Sequence, residues 1–354
     1  MHKPWQTASA IGSLPLVVEE EAVEFVFSHL LEVPHWPQLP QRSSREGLIS
    51  QFISPLLRMG LVAEEEGKYR FVDDADNWTE LITAFYELVL RIEGGDEEAL
   101  EEFFLPVEVA PGFYRFCERL REDTPAGLRY LKGQVSGPVT MGFRIQDSQK
   151  RPCFYSNELR DILLQSLALQ ARWQIKELGA FGLPVIIFFD DPGIYAYGQS
   201  ASVGLSGEDI TSALTYLFST VQKAGAVAGV HACAGVEWSL VFRANPDIIN
   251  VDVYDYFPSL LLCAEELDYF LKEGGTLAWG LVPTGEEIEK ETAASLWQLF
   301  AAYVEKLRAR GVSKERLENQ WLLTPSCGTG TMDAVRSKRV YSLLGEMLQN
   351  REVF

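Results

Sequence analysis

Gly225-Ala-Val-Ala-Gly-Val-His-Ala-Cys233 is a run of small apolar residues that ends on an imidazole and a thiol. A short apolar run without charges reads as a strand buried on both faces, as strands of a parallel sheet are. Residues two apart on a strand share a face, so His231 and Cys233 point together. A second apolar run, Trp321-Leu-Leu-Thr-Pro-Ser-Cys327, also ends on a thiol. One imidazole and two thiolates suit zinc, and three protein ligands with an open fourth position are the pattern of a catalytic site. The competing reading is that the cysteines only fill core space, since free Cys is among the most buried residue types. The Cys-x-x-Cys pairs of structural zinc sites are absent.

Outward from this stretch, strand-like runs alternate with amphipathic ones. The predicted strands are 8–13, 34–39, 131–135, 184–190, 225–233, 247–254, 276–282 and 321–327. The second is the weakest, because Pro34 and Pro37 cannot donate to a ladder and Pro40 follows directly. Helices are predicted over 19–31, 44–57, 78–93, 112–122, 157–178, 207–224, 258–273, 286–310 and 332–350. Ser206-Gly-Glu-Asp and Thr284-Gly-Glu-Glu carry the hydroxyl-then-acid signature of helix starts. Eight strands separated by helices imply parallel pairing and a (β/α)8 TIM barrel, one domain over 1–354 with a helical insertion at about 42–129 after the second strand.

Composition fits a globular chain: 354 residues, 47% hydrophobic and 12% aromatic, are enough for a sizeable core. A formal charge of −19 argues against sequence-independent nucleic-acid binding, which draws its affinity from Lys and Arg. Acidic runs such as 19–21 and 64–66 read as solvated faces or loops. No apolar stretch approaches a membrane span, no signal-peptide pattern opens the chain, and five cysteines argue for reduced thiols, so a cytoplasmic location is expected.

In a barrel of this kind, catalytic residues gather at the C-terminal ends of the strands. Those ends carry Gly12-Ser13, Gly137-Pro138, Asp190-Asp191, His231 with Cys233, Asp252 with Asp255, and Cys327-Gly328. A lone strand-end Asp usually caps the next helix. Three soft ligands converging on one mouth favour zinc.

Ala10-Ile-Gly-Ser-Leu-Pro15, Ser136-Gly-Pro-Val-Thr140, Phe189-Asp-Asp-Pro192, His231-Ala-Cys233, Ile249-Asn-Val-Asp252 and Pro325-Ser-Cys-Gly328 occur in that order. In this the chain resembles the catalytic domain of cobalamin-independent methionine synthase, within the superfamily that also holds uroporphyrinogen decarboxylase and the corrinoid-dependent methyltransferases. The resemblance spans nearly the full length and implies zinc ligation by His231, Cys233, Asp252 and Cys327. It further implies acceptor contacts from Ile11, Gly12 and Ser13, and from Asp190 to the acceptor's amino group. Asp252 stands where the family has a Glu and is one methylene shorter; Asp255 is the alternative, though an alternating strand aims it at the opposite face.

The chain also departs from the family. The folate-dependent enzymes are about twice as long, with a further N-terminal barrel, and carry a His after the seventh strand where Trp279-Gly-Leu-Val-Pro-Thr284 has none. Their Trp after the Gly-Pro-Val-Thr motif and their Ser-Arg-Cys folate contact have no clear counterpart here. The expected function is therefore methionine-synthase-like transfer of a methyl group to a homocysteine-like thiol, with a methylcorrinoid, free or on a partner protein, as donor. The alternatives are a uroporphyrinogen-decarboxylase-like enzyme and a non-catalytic corrinoid- or thiol-binding protein. The remaining cysteines, Cys117, Cys153 and Cys263, are expected in the core. Tyr195 and Tyr197 are candidates for the acceptor pocket, and His35 for a rim ligand or a hydrogen-bonded loop residue.

Overall fold

Unbroken apolar runs become central strands because a parallel sheet covered on both faces leaves no side for polar residues. The computed structural model describes residues 3–200 and 204–350, and most of the central strands follow that rule. The strands are β1 (Thr7–Ala8), β2 (Val62–Glu65), β3 (Lys68–Phe71), β4 (Leu131–Ser136), β5 (Ile145–Gln146), β6 (Val185–Asp190), β7 (Val227–Ala232), β8 (Ile248–Asp252), β9 (Thr276–Val282) and β10 (Trp321–Pro325). Seven of them form one all-parallel sheet in the order β1-β10-β9-β8-β7-β6-β4. Every residue of β4 and of β6 to β10 is buried.

Thirteen α-helices lie among the described residues: α1 (Glu19–His29), α2 (Ser54–Arg58), α3 (Trp78–Glu93), α4 (Pro111–Glu122), α5 (Pro138–Arg144), α6 (Asn157–Gly179), α7 (Gly207–Lys223), α8 (Trp238–Arg243), α9 (Val253–Leu261), α10 (Ala264–Lys272), α11 (Ala293–Arg308), α12 (Lys314–Asn319) and α13 (Ala334–Gln349). The predicted starts cap as expected where Ser206 accepts from the Glu208 and Asp209 amides ahead of α7. The run 286–310 is not one helix: a 3-10 turn over Glu286–Glu289 precedes α11, whose cap is a Thr292–Ser295 capping box. None of the helices is long and apolar enough to cross a membrane.

The sheet curls around a small inner cluster, Val33, Tyr130, Ile186, Phe188, Val227, Ile248, Ala278 and Leu322, which is separate from the larger core between sheet and helices. Alternate residues of each strand therefore serve two cores. The predicted second strand, 34–39, is no ladder strand. It makes two isolated parallel bridges, His35 with Lys132 on β4 and Ser13 with Gln38 beyond β1. Its prolines leave two backbone donations to the neighbouring chain, from Trp36 to Lys132 O and from Gln38 to Gly12 O.

The stretch 42–129 differs from an all-helical insertion. It holds α2, α3, α4 and the β2–β3 hairpin, which joins β5 in a three-stranded sheet. The hairpin turns at Glu66 and Gly67, both at positive φ (51° and 77°), the two-residue turn that matches strand twist. The predicted helix 44–57 is broken: Ser44–Glu46 is a 3-10 turn, Gly47 is extended, and α2 starts at Ser54.

Candidate metal centre

His231 is the penultimate residue of β7, and Cys233 follows the strand directly. Cys327 lies two residues beyond β10, three strands away. The sheet's curl brings the three ligand atoms together, all within 4.8 Å of one another, a group that could hold a metal ion. His231 is buried, and the two cysteines are half-buried at the surface of a cavity of about 310 Å³.

The His231 ring is fixed from behind. Its Nδ1 is hydrogen-bonded to Asn250 Oδ1, its register partner on β8. Asn250 is held in turn by donating to Ala278 O (3.1 Å) and Thr324 Oγ1 (2.6 Å). Because an amide oxygen only accepts, Nδ1 carries the proton and Nε2 faces away from it. Nε2 is buried with no hydrogen-bond partner in the chain. An unmet buried polar atom costs about 1–3 kcal/mol, so a ring so well anchored is expected to meet a ligand. Metal-binding histidines are commonly held in this way, one ring nitrogen bonded to an oxygen behind it and the other free to ligate.

The two sulfurs share a hydrogen bond. With the Cys327 thiol donating, and His231 beside it, Cys233 is held well below the usual thiol range, at about 4, despite burial. Cys327 is correspondingly pushed up, by the same bond and by burial. Burial lowers the His231 pKa, yet the neighbouring Cys233 sulfur, with Asp190 and Asn250, outweighs it and the net shift is upward. One imidazole lone pair and one ready thiolate form a donor set suited to a soft divalent cation.

Asp252, predicted as a fourth ligand, stands outside this group. It is buried at the end of β8, and its carboxylate caps α9 by accepting from the Asp255 amide (3.0 Å). Burial lifts its pKa to about 6. Asp255 itself is exposed.

Of the residues expected to meet an acceptor, Ile11, Ser13 and Asp190 line the same cavity, whose wall also includes Gln38 and Glu46, while Gly12 lies outside its lining. Gly12 has φ +151°, and a Cβ there would lie 2.8 Å from Gln134 Cδ and 2.9 Å from Gln38 Oε1, so only glycine fits the turn. Ser13 is fixed by Gly330, whose amide donates to its hydroxyl (3.2 Å). Asp190 is buried, and its Oδ1 has no partner in the chain. Burial raises its pKa, with Lys132 and His231 opposing. The neighbouring Asp191 is structural: its carboxylate accepts from the Val139 and Thr140 amides (3.0 and 2.7 Å) and the Thr140 hydroxyl (2.6 Å), tying β6 to the start of α5.

Several predicted candidates lie elsewhere. Tyr195 and Tyr197 do not line the cavity. His35 is buried, with Nδ1 bonded to Trp36 O (2.9 Å) and Nε2 to the Tyr341 hydroxyl (2.8 Å), so no ring nitrogen is free. Its neighbour Trp36 packs in the core, its Nε1 donating to Gln174 (2.9 Å). Cys117, Cys153 and Cys263 are buried thiols whose pKa burial raises.

Comparison with known protein families and with curated proteins returns no match. The chemistry of the site must therefore be read from its own residues.

Three residues went unassigned in the sequence. Asn250 and Lys132 each leave a trace there, a polar side chain inside an otherwise buried strand. Glu46 leaves none: it sits in a segment read as a helix, yet it is buried at the cavity wall, accepting from Arg42 (3.0 Å) and the Leu39 amide (3.2 Å).

Proposed function

We propose that the chain is a zinc-dependent thiol methyltransferase, its metal held by His231, Cys233 and Cys327 at the mouth of a closed (β/α)8 barrel. The acceptor is a homocysteine-like aminothiol, and the donor is a methylcorrinoid, free or carried by a partner protein. Barrel closure is supported by the two bridges that link residues 34–39 to β4 and to Ser13. The observation that carries the metal reading is the His231 ring, bonded to Asn250 on one side and bare at Nε2 on the other, with two sulfurs in reach.

Zinc bound there supplies the charge that keeps a coordinated thiol ionised at neutral pH. With Asp252 engaged in capping α9, the chain offers three ligands, which leaves a position for substrate sulfur. Asp190 offers its unpartnered Oδ1 to the acceptor's ammonium. The Ile11-Gly12-Ser13 turn, locked by Gly330, closes the opposite wall.

The cavity wall contains Glu46 and Asp190 and, among the described residues, no lysine or arginine. That charge pattern disfavours a polycarboxylate substrate and hence the decarboxylase alternative. The test is to incubate zinc-loaded protein with methylcobalamin and a panel of thiols and to read products by mass spectrometry. The account expects a methylated thioether from homocysteine, lost in Cys233→Ser. No methylated thiol from any acceptor would sink the proposal, and thiol binding without turnover would point to the non-catalytic reading.

A further inference from the structure

We infer that Lys132 is a positioning residue for the acceptor pocket, holding the Ile11-Gly12-Ser13 turn and setting a positive charge behind Asp190. The inference rests on the thiol-transfer reading above. Lys132 lies in β4, is fully buried, and pairs in register with Ile186 of the inner cluster. Its Nζ donates to Ile11 O at 2.6 Å, the residue that opens the turn. The same ammonium stands 4.5 Å above the centre of the Phe188 ring. That ring has room because β7 carries Gly229 beside it, where a Cβ would lie 2.2 Å from the ring. The Asp190 carboxylate lies within electrostatic reach of Lys132.

A lysine in such a place needs an explanation. Taking an ammonium out of water is expensive, and a well-packed apolar residue in place of a buried charge is often neutral or stabilising. Stability alone therefore does not account for Lys132. The lysine instead bears on two residues that line the pocket: it holds the Ile11 carbonyl by a hydrogen bond, and its charge acts on the Asp190 carboxylate. Lys132 itself does not line the cavity, so it acts through Ile11 and Asp190.

The test uses full-length protein loaded with cobalt(II) in place of zinc and titrated with homocysteine, read by thiolate-to-cobalt charge-transfer absorption. Lys132→Met and Lys132→Gln are compared with wild type, and 2-mercaptoethanol serves as a thiol with no amino or carboxylate group. Cobalt stoichiometry is expected to be unchanged in both variants. Homocysteine binding should weaken about 10-fold or more in Lys132→Met, the size of one lost charge-assisted hydrogen bond, and less in Lys132→Gln, which keeps a donor. Binding of 2-mercaptoethanol should stay within about 2-fold, because it touches only the metal. Equal weakening of both thiols, or homocysteine binding unchanged in Lys132→Met, overturns the positioning role. A wild-type protein whose spectrum responds to no thiol overturns the thiol-transfer reading, and this inference with it.

Discussion

Asn250→Ala removes the one side chain that orients the His231 ring, and its effect can be worked out from three lost contacts. His231 Nδ1 loses its acceptor, while Ala278 O and Thr324 Oγ1 lose the amide that donates to them. Loss of an outer partner of a metal-binding histidine typically costs 10–100-fold in metal affinity, or about 1.4–2.8 kcal/mol. Each buried group left unmet costs about 1–3 kcal/mol, so the fold should lose roughly 3 kcal/mol or more as well. Asn250→Asp separates the two effects: it keeps an acceptor for Nδ1, a carboxylate that makes the ring more basic, but gives up both donated bonds. Zinc affinity by competition with a chromophoric chelator should fall about 10–100-fold in Asn250→Ala and hold or rise in Asn250→Asp, while thermal melts show both destabilised. Thr324→Val, which touches only the far end of the relay, should leave zinc affinity within about 3-fold. A folded Asn250→Ala protein with wild-type zinc affinity would refute the claim that this ring is held for a metal.

Three further outcomes follow from the same geometry. Cys233→Ser should bind less than one equivalent of zinc after dialysis while keeping its circular dichroism spectrum, because the half-buried thiol serves the ion rather than the core; full zinc content would contradict this. Burial brings the His35 pKa down to about 3, with Lys132 adding to the shift and the Trp36 carbonyl opposing it. The neutral ring is thus favoured in the fold, so its contribution is whole above about pH 6.5 and is lost as pH falls toward 3, up to roughly 5 kcal/mol. Denaturant titrations across that range should show a shallower decline in His35→Gln, and parallel curves would count against it. Gly229→Ala forces a methyl to 2.2 Å from the Phe188 ring, so it should cost about 1–3 kcal/mol and lower the melting temperature; a neutral substitution would mean the inner cluster is loosely packed.

Much of the parallel sheet was legible because most of its strands are short, largely apolar runs. The two-residue spacing of His231 and Cys233 fixed their shared face, and the end of β10 brought Cys327 to the same place. Residues 34–39 were harder, since prolines leave two bridges where a ladder would run. The β2–β3 hairpin hid behind its own charges: Glu64, Glu65 and Glu66 are exposed, as a solvated loop would be, and the turn at Gly67 alone betrays it. Asp252 shows what spacing leaves open. A strand-end carboxylate can also cap the following helix, and the path of α9 places one of its oxygens on the Asp255 amide. Lys132 and Asn250 are polar residues in buried strands, and their partners, Ile11 in the loop after β1 and His231 on neighbouring β7, are ones that no local pattern reveals.

The central claim is that His231, Cys233 and Cys327 hold zinc so that a substrate thiol can join it. X-ray absorption at the zinc edge, before and after homocysteine, counts the sulfurs directly. The account predicts two sulfurs and one imidazole nitrogen without homocysteine, and a third sulfur at about 2.3 Å with it. A sulfur count that homocysteine leaves unchanged would contradict it.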